Sequence, residues 1–191
     1  MKYYCVIDFE CTCTGDFAFA NEIIEFPAIL IHPVSLETVH TFHHYVRPTE
    51  HPVLTDFCVD LTGITQPQVD SALTLPDVLE IFACFLESEN LEILPVTDGP
   101  WDFNKFLVPE CRRKNLPLPP WCMKFLDLRW KFKQIFRLER WLNLSDMLTH
   151  LGLTFEGREH SGIDDSHNIA GILIVIIKAG HSDAESKRHT S

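Results

Sequence analysis

An apolar strand that ends in two carboxylates is the feature that most constrains this sequence. Tyr3 to Phe9 is apolar and aromatic enough for a buried strand, and Asp8 and Glu10 stand at its C-terminal end. Side chains two residues apart on a strand point to the same face, so these two carboxylates face the same way. Neighbouring like charges at the edge of a core repel each other, and Mg²⁺ is a usual partner for such oxygens. The pattern predicts a divalent-metal site, although isolated pairs of this kind also occur as solvated acids at strand ends.

The composition is typical of a single globular domain. Of the 191 residues, 46% are hydrophobic and 23% are charged, and no apolar run reaches the length of a membrane span. The sequence enters a predicted strand without a secretory signal, and its seven cysteines favour free thiols. We therefore expect one intracellular domain over residues 1–181, in the cytoplasm, the nucleus or both, with no membrane partner and a disordered tail at 182–191.

Hydrophobic patterning predicts an α/β domain with a mixed sheet. Further strands are expected at Ile23–Ile31, Thr38–Val46 and Leu91–Val96, with a bulge at Pro27. Helices are expected at Leu54–Val59, Leu75–Leu86, Asn104–Lys114, Phe125–Phe136, Asp146–Leu151 with Ser145 as its cap, and from Asp164 or Asp165 to Lys178. In such sheets, functional residues collect at the C-terminal ends of the strands.

Two further segments have acidic residues that such a sheet would bring close to the first two carboxylates. Asp98 follows the fourth predicted strand, and it would meet the first two carboxylates if that strand were a parallel neighbour of the first. Asp98 also suits a plain helix N-cap. His160 is expected on a loop and Asp165 in the first turn of the last helix, so both can face one site. A histidine in an acidic loop is often only solvated, but beside carboxylates it could accept a proton at neutral pH.

The net charge of −11 is unevenly distributed. Residues 105–140, the basic window, contain ten of the sixteen lysines and arginines and three acids, so the window carries +7 and the remainder −18. Aromatic residues alternate with the basic ones, a pattern that suits contacts with phosphates and bases. A solvated helix whose aromatic residues pack inward explains the same pattern. Both interpretations stay open at the level of sequence.

The acidic pattern resembles a known family, the DEDDh 3′→5′ exonucleases. The matching positions are Asp8, Glu10, Asp98, His160 and Asp165. Longer stretches look like the ERI-type exoribonuclease branch of that family, namely residues 8–13, 22–27, 61–64, 97–102 and 157–166. The resemblance extends from about residue 3 to residue 180. It implies an RNase H-like fold, with a mixed five-stranded sheet flanked by helices.

The same resemblance implies a role for each matched residue. Asp8, Glu10, Asp98 and Asp165 would hold two Mg²⁺ or Mn²⁺ ions, which would activate the attacking water and stabilise the leaving 3′ oxygen. His160 would be the general base for that water, and Glu10 and His160 would be the catalytic residues.

The nucleotide would be met by a second set of residues. Glu10, His160 and the backbone around Cys11 would bind the terminal nucleotide, and Leu61 and Thr62 would pack against it. The implied partner is RNA with a free 3′-OH, single-stranded or as an overhang, and the product is a nucleoside 5′-monophosphate. A DNA-directed exonuclease and a non-catalytic module that binds RNA ends are the alternatives, and protein partners are unknown.

Overall fold

The protein is a mixed β-sheet with helices packed on both faces. A computed structural model describes residues 1–15 and 19–180. The strands are β1 (Tyr3–Ile7), β2 (Glu10–Cys11), β3 (Ile23–Ile31), β4 (Thr38–Arg47), β5 (Leu73–Thr74), β6 (Ile93–Thr97) and β7 (Leu126–Asp127). Their order in the sheet is β5-β4-β3-β1-β6-β7, and β2 pairs with β3. The predicted tail at 182–191 lies outside the described residues, and no described helix is long and apolar enough to cross a membrane.

The strand directions bring two of the predicted acids to one edge of the sheet. β3 is antiparallel to β1 and to β4, whereas β6 runs parallel to β1. Val6 of β1 is in register with Val96 of β6. Asp8 and Asp98 each follow these residues by two positions, so both emerge at the C-terminal edge of the sheet. The mixed α/β architecture expected from the sequence is confirmed.

The sheet has seven strands, not the five that the resemblance implied. The long strands match the predicted ones, with ends that differ by a few residues, whereas β2, β5 and β7 have two residues each. A two-residue strand is too short to show a period of two, so its pairing partner defines it. β7 also corrects the helix predicted over Phe125–Phe136, because Leu126 and Asp127 pair with β6 before the helix begins.

The helices largely occupy the predicted positions. They are α1 (Asp56–Thr62), α2 (Gln66–Asp70), α3 (Leu75–Ser88), α4 (Val108–Arg113), α5 (Leu128–Ile135), α6 (Leu144–His150) and α7 (Gly162–Lys178). A π-helical turn at Asp102–Leu107 leads into α4, and a 3₁₀ turn lies at Pro120–Met123. The helix predicted from Leu54 begins later, after the N-cap Thr55, and ends at Gly63 in the left-handed conformation.

The cap predicted for α6 was wrong. Asn143, not Ser145, is the N-cap, and its side chain accepts the Asp146 N–H at 2.7 Å. Both residue types cap helices well, so the local sequence does not choose between them. The earlier start adds Leu144 to the helical face that carries Met147 and Leu148 into the core, and this burial decides the boundary.

Pro27 lies in a central strand, where proline is rare. It pairs with His43 of β4, and the irregularity between β3 and β4 lies instead at Leu30–Ile31, so the predicted bulge at Pro27 was wrong. On the other side of β3, Ile7 pairs with Ala28 and Glu10 with Glu25. Pro27 therefore faces the gap between β1 and β2, where no ladder partner requires its missing N–H.

Two hydrophobic cores cover the two faces of the sheet. One contains Phe26 of β3, Phe82 of α3 and Phe103, whereas the other joins Ile29 of β3 to Ile172 of α7. Every residue of β3 is buried, because alternate side chains enter opposite cores. α7 packs on the second face with its N-terminus at the edge where β1 ends, and this places its first turn beside Asp8.

Candidate active site

The predicted acidic residues meet in one cleft at the C-terminal edge of β1 and β6. Asp8, Asp98, His160 and Asp165 line a cavity of about 330 Å³ at this edge. Glu10 lies beside it, and ligand atoms of Glu10, His160 and Asp165 are all within 4.8 Å of one another. The fold therefore brings all five side chains together, although 157 residues of sequence separate Asp8 from Asp165.

A break in the strand orients the first two carboxylates. The chain leaves β1 after Ile7 and resumes pairing at Glu10, and the buried Phe9 side chain anchors the step between them in the core. The Phe9 N–H, which has no ladder partner, donates to Oδ1 of Asp102 at 2.8 Å. This buried hydrogen bond fixes the backbone next to Asp8, and so helps to orient the Asp8 side chain toward the cleft.

Asp102 is a site residue that the sequence prediction did not include. It is 5% exposed, and burial raises its pKa to about 7 even though it accepts the Phe9 N–H. Its charge also raises the pKa of Asp8. The available sequence signal was its spacing, because Asp102 follows Asp98 by four residues at the start of a helical segment.

The first turn of α7 carries the other half of the site. His160 adopts a positive φ of 62° on the loop, and its N–H donates to Oδ2 of Asp165 at 2.9 Å. The His160 side chain is exposed, whereas Asp165 is 7% exposed. Burial raises the pKa of Asp165 to about 7 against the opposing effect of the His160 N–H. The predicted arrangement, with histidine on the loop and aspartate in the first helical turn, matches this structure.

Glu25 fixes the N-terminus of α7 to the sheet. This buried residue of β3 accepts the N–H of Gly162 at 2.9 Å and the N–H of Ile163 at 3.3 Å, and its other contact is His43 Nε2 at 2.7 Å. A carboxylate at a helix N-terminus satisfies free N–H groups and complements the helix dipole. Glu25 is also the cross-strand neighbour of Glu10, so one residue aligns both halves of the cleft. It, too, was absent from the predicted site.

The cleft carries far more negative than positive charge. Burial, and then the charges of Asp102, Glu10, Asp165 and Asp98, raise the pKa of Asp8 well above its ordinary value. The pKa of Glu10 is raised in the same way, by burial and then by Glu25 and Asp165. Ionisation of all these groups together therefore requires a compensating cation.

Arg129 supplies one positive charge to the cleft. Its guanidinium forms an ion pair with Asp98, with Nη2 bound to Oδ2 and Nε 3.4 Å from Oδ1. This pair lowers the pKa of Asp98, but burial outweighs it and the net shift is upward. A single arginine leaves the other carboxylates uncompensated. Hard oxygen donors in this number suit divalent cations such as Mg²⁺, so the residues present fit a metal site.

Three of the residues predicted to contact the nucleotide lie outside the lining of the cavity. The side chain of Cys11 is buried, and its carbonyl accepts from the Sγ of Cys58 at 3.6 Å. The Thr62 hydroxyl donates to the Cys58 carbonyl at 2.8 Å, a contact within α1. None of Cys11, Leu61 and Thr62 is among the residues that line the 330 Å³ cavity. Any contact from Cys11 therefore has to come from its backbone.

An acidic cleft at the C-terminal edge of a mixed sheet is an arrangement that suits metal-dependent phosphodiester hydrolases. The chain belongs more particularly to the exonuclease family (RNase T), whose profile matches residues 5–173. Members of this family depend on metal ions. The resemblance to DEDDh exonucleases of the ERI type is confirmed by the relatives that follow.

One relative by sequence and two solved structures show which members of the family this chain is similar to. Human 3′-5′ exoribonuclease 1 is 40% identical over 185 residues, which cover 93% of this chain and 53% of the relative. The crystal structure of the nuclease domain of 3′hExo, a DEDDh family member bound to rAMP, superposes with a TM-score of 0.92 at 38% identity and covers 100% of this chain and 97% of that one. A 3′-exonuclease that recognises the 3′ end of a histone mRNA stem-loop superposes with a TM-score of 0.90 at 40% identity, over 94% of this chain and 83% of that one. The chain spans about half the length of the mammalian relatives.

Proposed function

We propose that this chain is a metal-dependent 3′→5′ exoribonuclease that releases nucleoside 5′-monophosphates from the 3′ end of RNA. The observation that carries the proposal is the convergence of Asp8, Glu10, Asp98, Asp165 and His160 in one cleft. Support comes from the names of its relatives, which are 3′-5′ exoribonucleases at about 40% identity. The site residues and the resident metals are part of the proposal.

Four carboxylates would hold the metal ions. Asp8, Glu10, Asp98 and Asp165 are the ligands, and two Mg²⁺ or Mn²⁺ ions are the proposed complement. Bound ions would lower the pKa of the attacking water and neutralise charge on the leaving 3′ oxygen. The carboxylates would hold the ions in place, and a cation would favour ionisation of Asp8 and Glu10 by offsetting their mutual repulsion.

His160 would accept the proton of the attacking water. Its imidazole is exposed at the mouth of the cleft, and its backbone is fixed by the N–H bond to Asp165. An exposed imidazole can take a proton from water and release it to solvent in each cycle. Glu10 and the backbone at Cys11 would orient the terminal nucleotide, and a free 3′-OH at this position would restrict the reaction to chain ends.

The proposed substrate is RNA, single-stranded or with a 3′ overhang. The structural relatives favour RNA, because one is bound to rAMP and another recognises a histone mRNA stem-loop. DNA is the competing substrate, since discrimination requires a contact with the 2′-OH. A non-catalytic module that binds RNA ends is disfavoured, because each of the five catalytic positions carries the residue type that the chemistry needs. We also propose an intracellular location, in the cytoplasm, the nucleus or both.

A gel assay with end-labelled substrate tests the proposal. Purified protein is incubated with a 5′-labelled single-stranded RNA in Mg²⁺ or in EDTA, alongside a matched DNA. The expected result is a ladder that shortens from the 3′ end of RNA in Mg²⁺ and is absent in EDTA. Asp8→Asn should abolish the ladder, whereas Glu37→Gln, an exposed carboxylate in the turn between β3 and β4, should leave it intact.

Each alternative gives a different pattern in the same assay. Faster degradation of DNA than of RNA would reassign the substrate. Intact RNA and DNA with folded, Mg²⁺-loaded protein would contradict an exonuclease and favour the binding module. Circular dichroism of the Asp8→Asn protein shows whether its loss of activity reflects unfolding, which is not expected because the substitution removes a repelling charge.

A further inference from the structure

Trp141 and Lys133 form an exposed aromatic–cationic pair outside the acidic site. The Trp141 side chain is 53% exposed, and the Nζ of Lys133 lies 4.6 Å from its ring centroid. Lys133 is in the last turn of α5, and Trp141 lies between α5 and α6. A lysine over an indole holds the ring in a defined position. About half of the Trp141 side chain nevertheless stays exposed and available to a second flat group.

Trp141 adjoins, along the chain, the residues that line the candidate active site. Asn143, Leu144 and Ser145 line the cleft that holds Asp8 and Asp98. Trp141 precedes Asn143 by two residues, so their Cα atoms are at most about 7.6 Å apart. Leu142, between them, is buried in the second core and fixes this segment against the domain. The backbone of Trp141 is therefore within about 7.6 Å of a residue that borders the cleft.

The basic window is not one continuous basic surface, because several of its cations are paired with acids. Lys114 is enclosed between Glu22 and Glu110, at 2.6 and 2.7 Å. Arg113 pairs with Glu50, and Arg129 with Asp98. These cations are neutralised within the domain, so they add little to any attraction for a phosphate backbone.

The cations around Trp141 differ from this group. Lys133 pairs with the indole, which carries no net charge, and Arg137 and Arg140 are exposed on the segment that joins α5 to α6. Glu139 is the one acid among them. An excess of positive charge on a chain of net charge −11 marks this segment as a place for a polyanion. We name Lys133 and Trp141 the rim platform.

We propose that the rim platform binds the RNA strand upstream of the nucleotide being removed, with one base stacked on Trp141 and the adjacent phosphate beside Lys133. The proposal rests on the proposed exoribonuclease function and extends it from the terminal nucleotide to the body of the substrate. Stacking accepts any base, so the platform would add affinity without sequence preference. An RNA too short to reach Trp141 would lose this contribution.

Binding measurements test the platform independently of catalysis. Fluorescence anisotropy with a labelled 12-nucleotide oligo(A) in EDTA and in Ca²⁺ gives the affinity without following cleavage. Trp141→Ala is expected to weaken binding about five- to 150-fold, the range that corresponds to loss of one stacked base. Trp141→Phe should restore most of the affinity. Lys133→Glu should weaken binding and reduce the salt dependence, by about one unit of slope.

Lys124→Glu is the matched control. Lys124 belongs to the same basic window but lies beside Lys2 and Tyr4, at the opposite end of β1 from the cleft. It should bind RNA within twofold of the wild type. Equal weakening by Lys124→Glu and Lys133→Glu would indicate a diffuse charge effect and overturn the platform.

An abasic scan separates stacking from a structural effect of the substitution. The wild type should bind an RNA with one abasic upstream nucleotide more weakly than the intact RNA. Trp141→Ala should bind the intact RNA with that same reduced affinity. It should bind the abasic RNA no more weakly than the intact RNA. Unchanged affinity in Trp141→Ala would overturn the proposal and leave the surface to a protein partner. Hydrolysis of the p-nitrophenyl ester of uridine 5′-monophosphate by the wild type checks the reaction itself, so failure of the catalytic proposal is distinguishable from failure of the platform.

Discussion

Gly162 lies directly against the backbone of Asp8. A Cβ added at Gly162 would stand 2.6 Å from the carbonyl oxygen of Asp8 and 3.0 Å from Oε2 of Glu25. The first of these obstacles is backbone, which has little freedom to move. The close approach brings the N-terminus of α7, with Asp165, to the end of β1, so the two halves of the cleft meet at a position that only glycine fits.

Gly162→Ala should therefore separate the two halves of the site. We expect a loss of about 1–3 kcal/mol in the free energy of unfolding, as for other overpacked positions. We also expect activity to fall by more than the fraction of protein that this loss unfolds. Urea denaturation and RNA cleavage assays measure the two effects. Gly171→Ala is the matched control, because it lies in the same helix with no atom within 4 Å of the added methyl group. It should be neutral or stabilising, by up to about 1 kcal/mol.

Asp102 should make the metal-free protein less stable as the pH rises. Its pKa in the folded protein is about 7 against an ordinary value of 3.8, so the folded state binds more protons than the unfolded state between these values. The free energy of unfolding therefore falls as pH rises from about 4 to 7, by up to about 4 kcal/mol from this group. Asp102→Asn keeps an oxygen for the Phe9 N–H and removes the ionisation.

Denaturation in EDTA at a series of pH values measures this effect. Near pH 4 the wild type and Asp102→Asn should be similar, and above pH 7 the variant should be the more stable protein. The exposed Asp60, changed to Asn, provides a control that should follow the wild-type curve. Parallel curves for the wild type and Asp102→Asn at all pH values would contradict a raised pKa at this position.

The sequence predicted the parts of the fold that depend on local pattern. The long strands and the acids after them follow from apolar periodicity and from the position of Asp8 and Asp98 at strand ends. The roles of Glu25 and Asp102 could not be predicted, because they depend on contacts between distant parts of the sequence. Glu25 contacts Gly162, 137 residues away, and Asp102 contacts Phe9, 93 residues away. In the sequence, each is an ordinary acid within an element.

The basic window shows the same limit for charge. Its net charge of +7 could be counted in the sequence, but its distribution depends on the partners of each residue. Lys114 pairs with Glu22, 92 residues away, and is removed from the surface available to RNA. Lys133 and Trp141, only eight residues apart, pair with each other and leave Trp141 exposed. A linear count of charges cannot separate these two outcomes, because the fold assigns the partners.

Arg129 should oppose metal binding at Asp98. Its guanidinium is a fixed positive charge on a proposed metal ligand, so removing it should strengthen the attraction for a divalent cation. The loss of Arg129 also raises the pKa of Asp98 further, so the titration is made at pH 8 to reduce the cost of deprotonation. We expect Arg129→Gln to bind Mg²⁺ about tenfold more tightly, which corresponds to roughly 1.4 kcal/mol. Calorimetric titration at pH 8 measures the change.

Arg129→Lys provides the matched comparison, because it keeps the charge and loses the two-point contact. Its Mg²⁺ affinity should stay near that of the wild type. Weaker Mg²⁺ binding by Arg129→Gln would mean that the arginine orients Asp98 for the metal and does not compete with it.

His160 should act on the reaction and not on metal binding. Asparagine is the informative replacement, because it tolerates the positive φ of 62° at this position and preserves the N–H bond to Asp165. As the general base, His160 would contribute about 10²- to 10⁴-fold to kcat, so His160→Asn should lose activity by that factor. Its Mg²⁺ affinity and its stability should be those of the wild type, whereas Asp165→Asn should lose Mg²⁺ affinity. Single-turnover cleavage and calorimetric titration of both variants distinguish these effects.

The geometry of the cleft makes this comparison decisive, because the ligand atoms of His160, Glu10 and Asp165 lie within 4.8 Å of one another. That distance also suits an imidazole bound to a metal. If His160→Asn lost Mg²⁺ affinity as strongly as Asp165→Asn, the histidine would be a ligand and the proton of the attacking water would need another acceptor. If only kcat fell, the exposed imidazole would be the proton acceptor at the mouth of the acidic cleft.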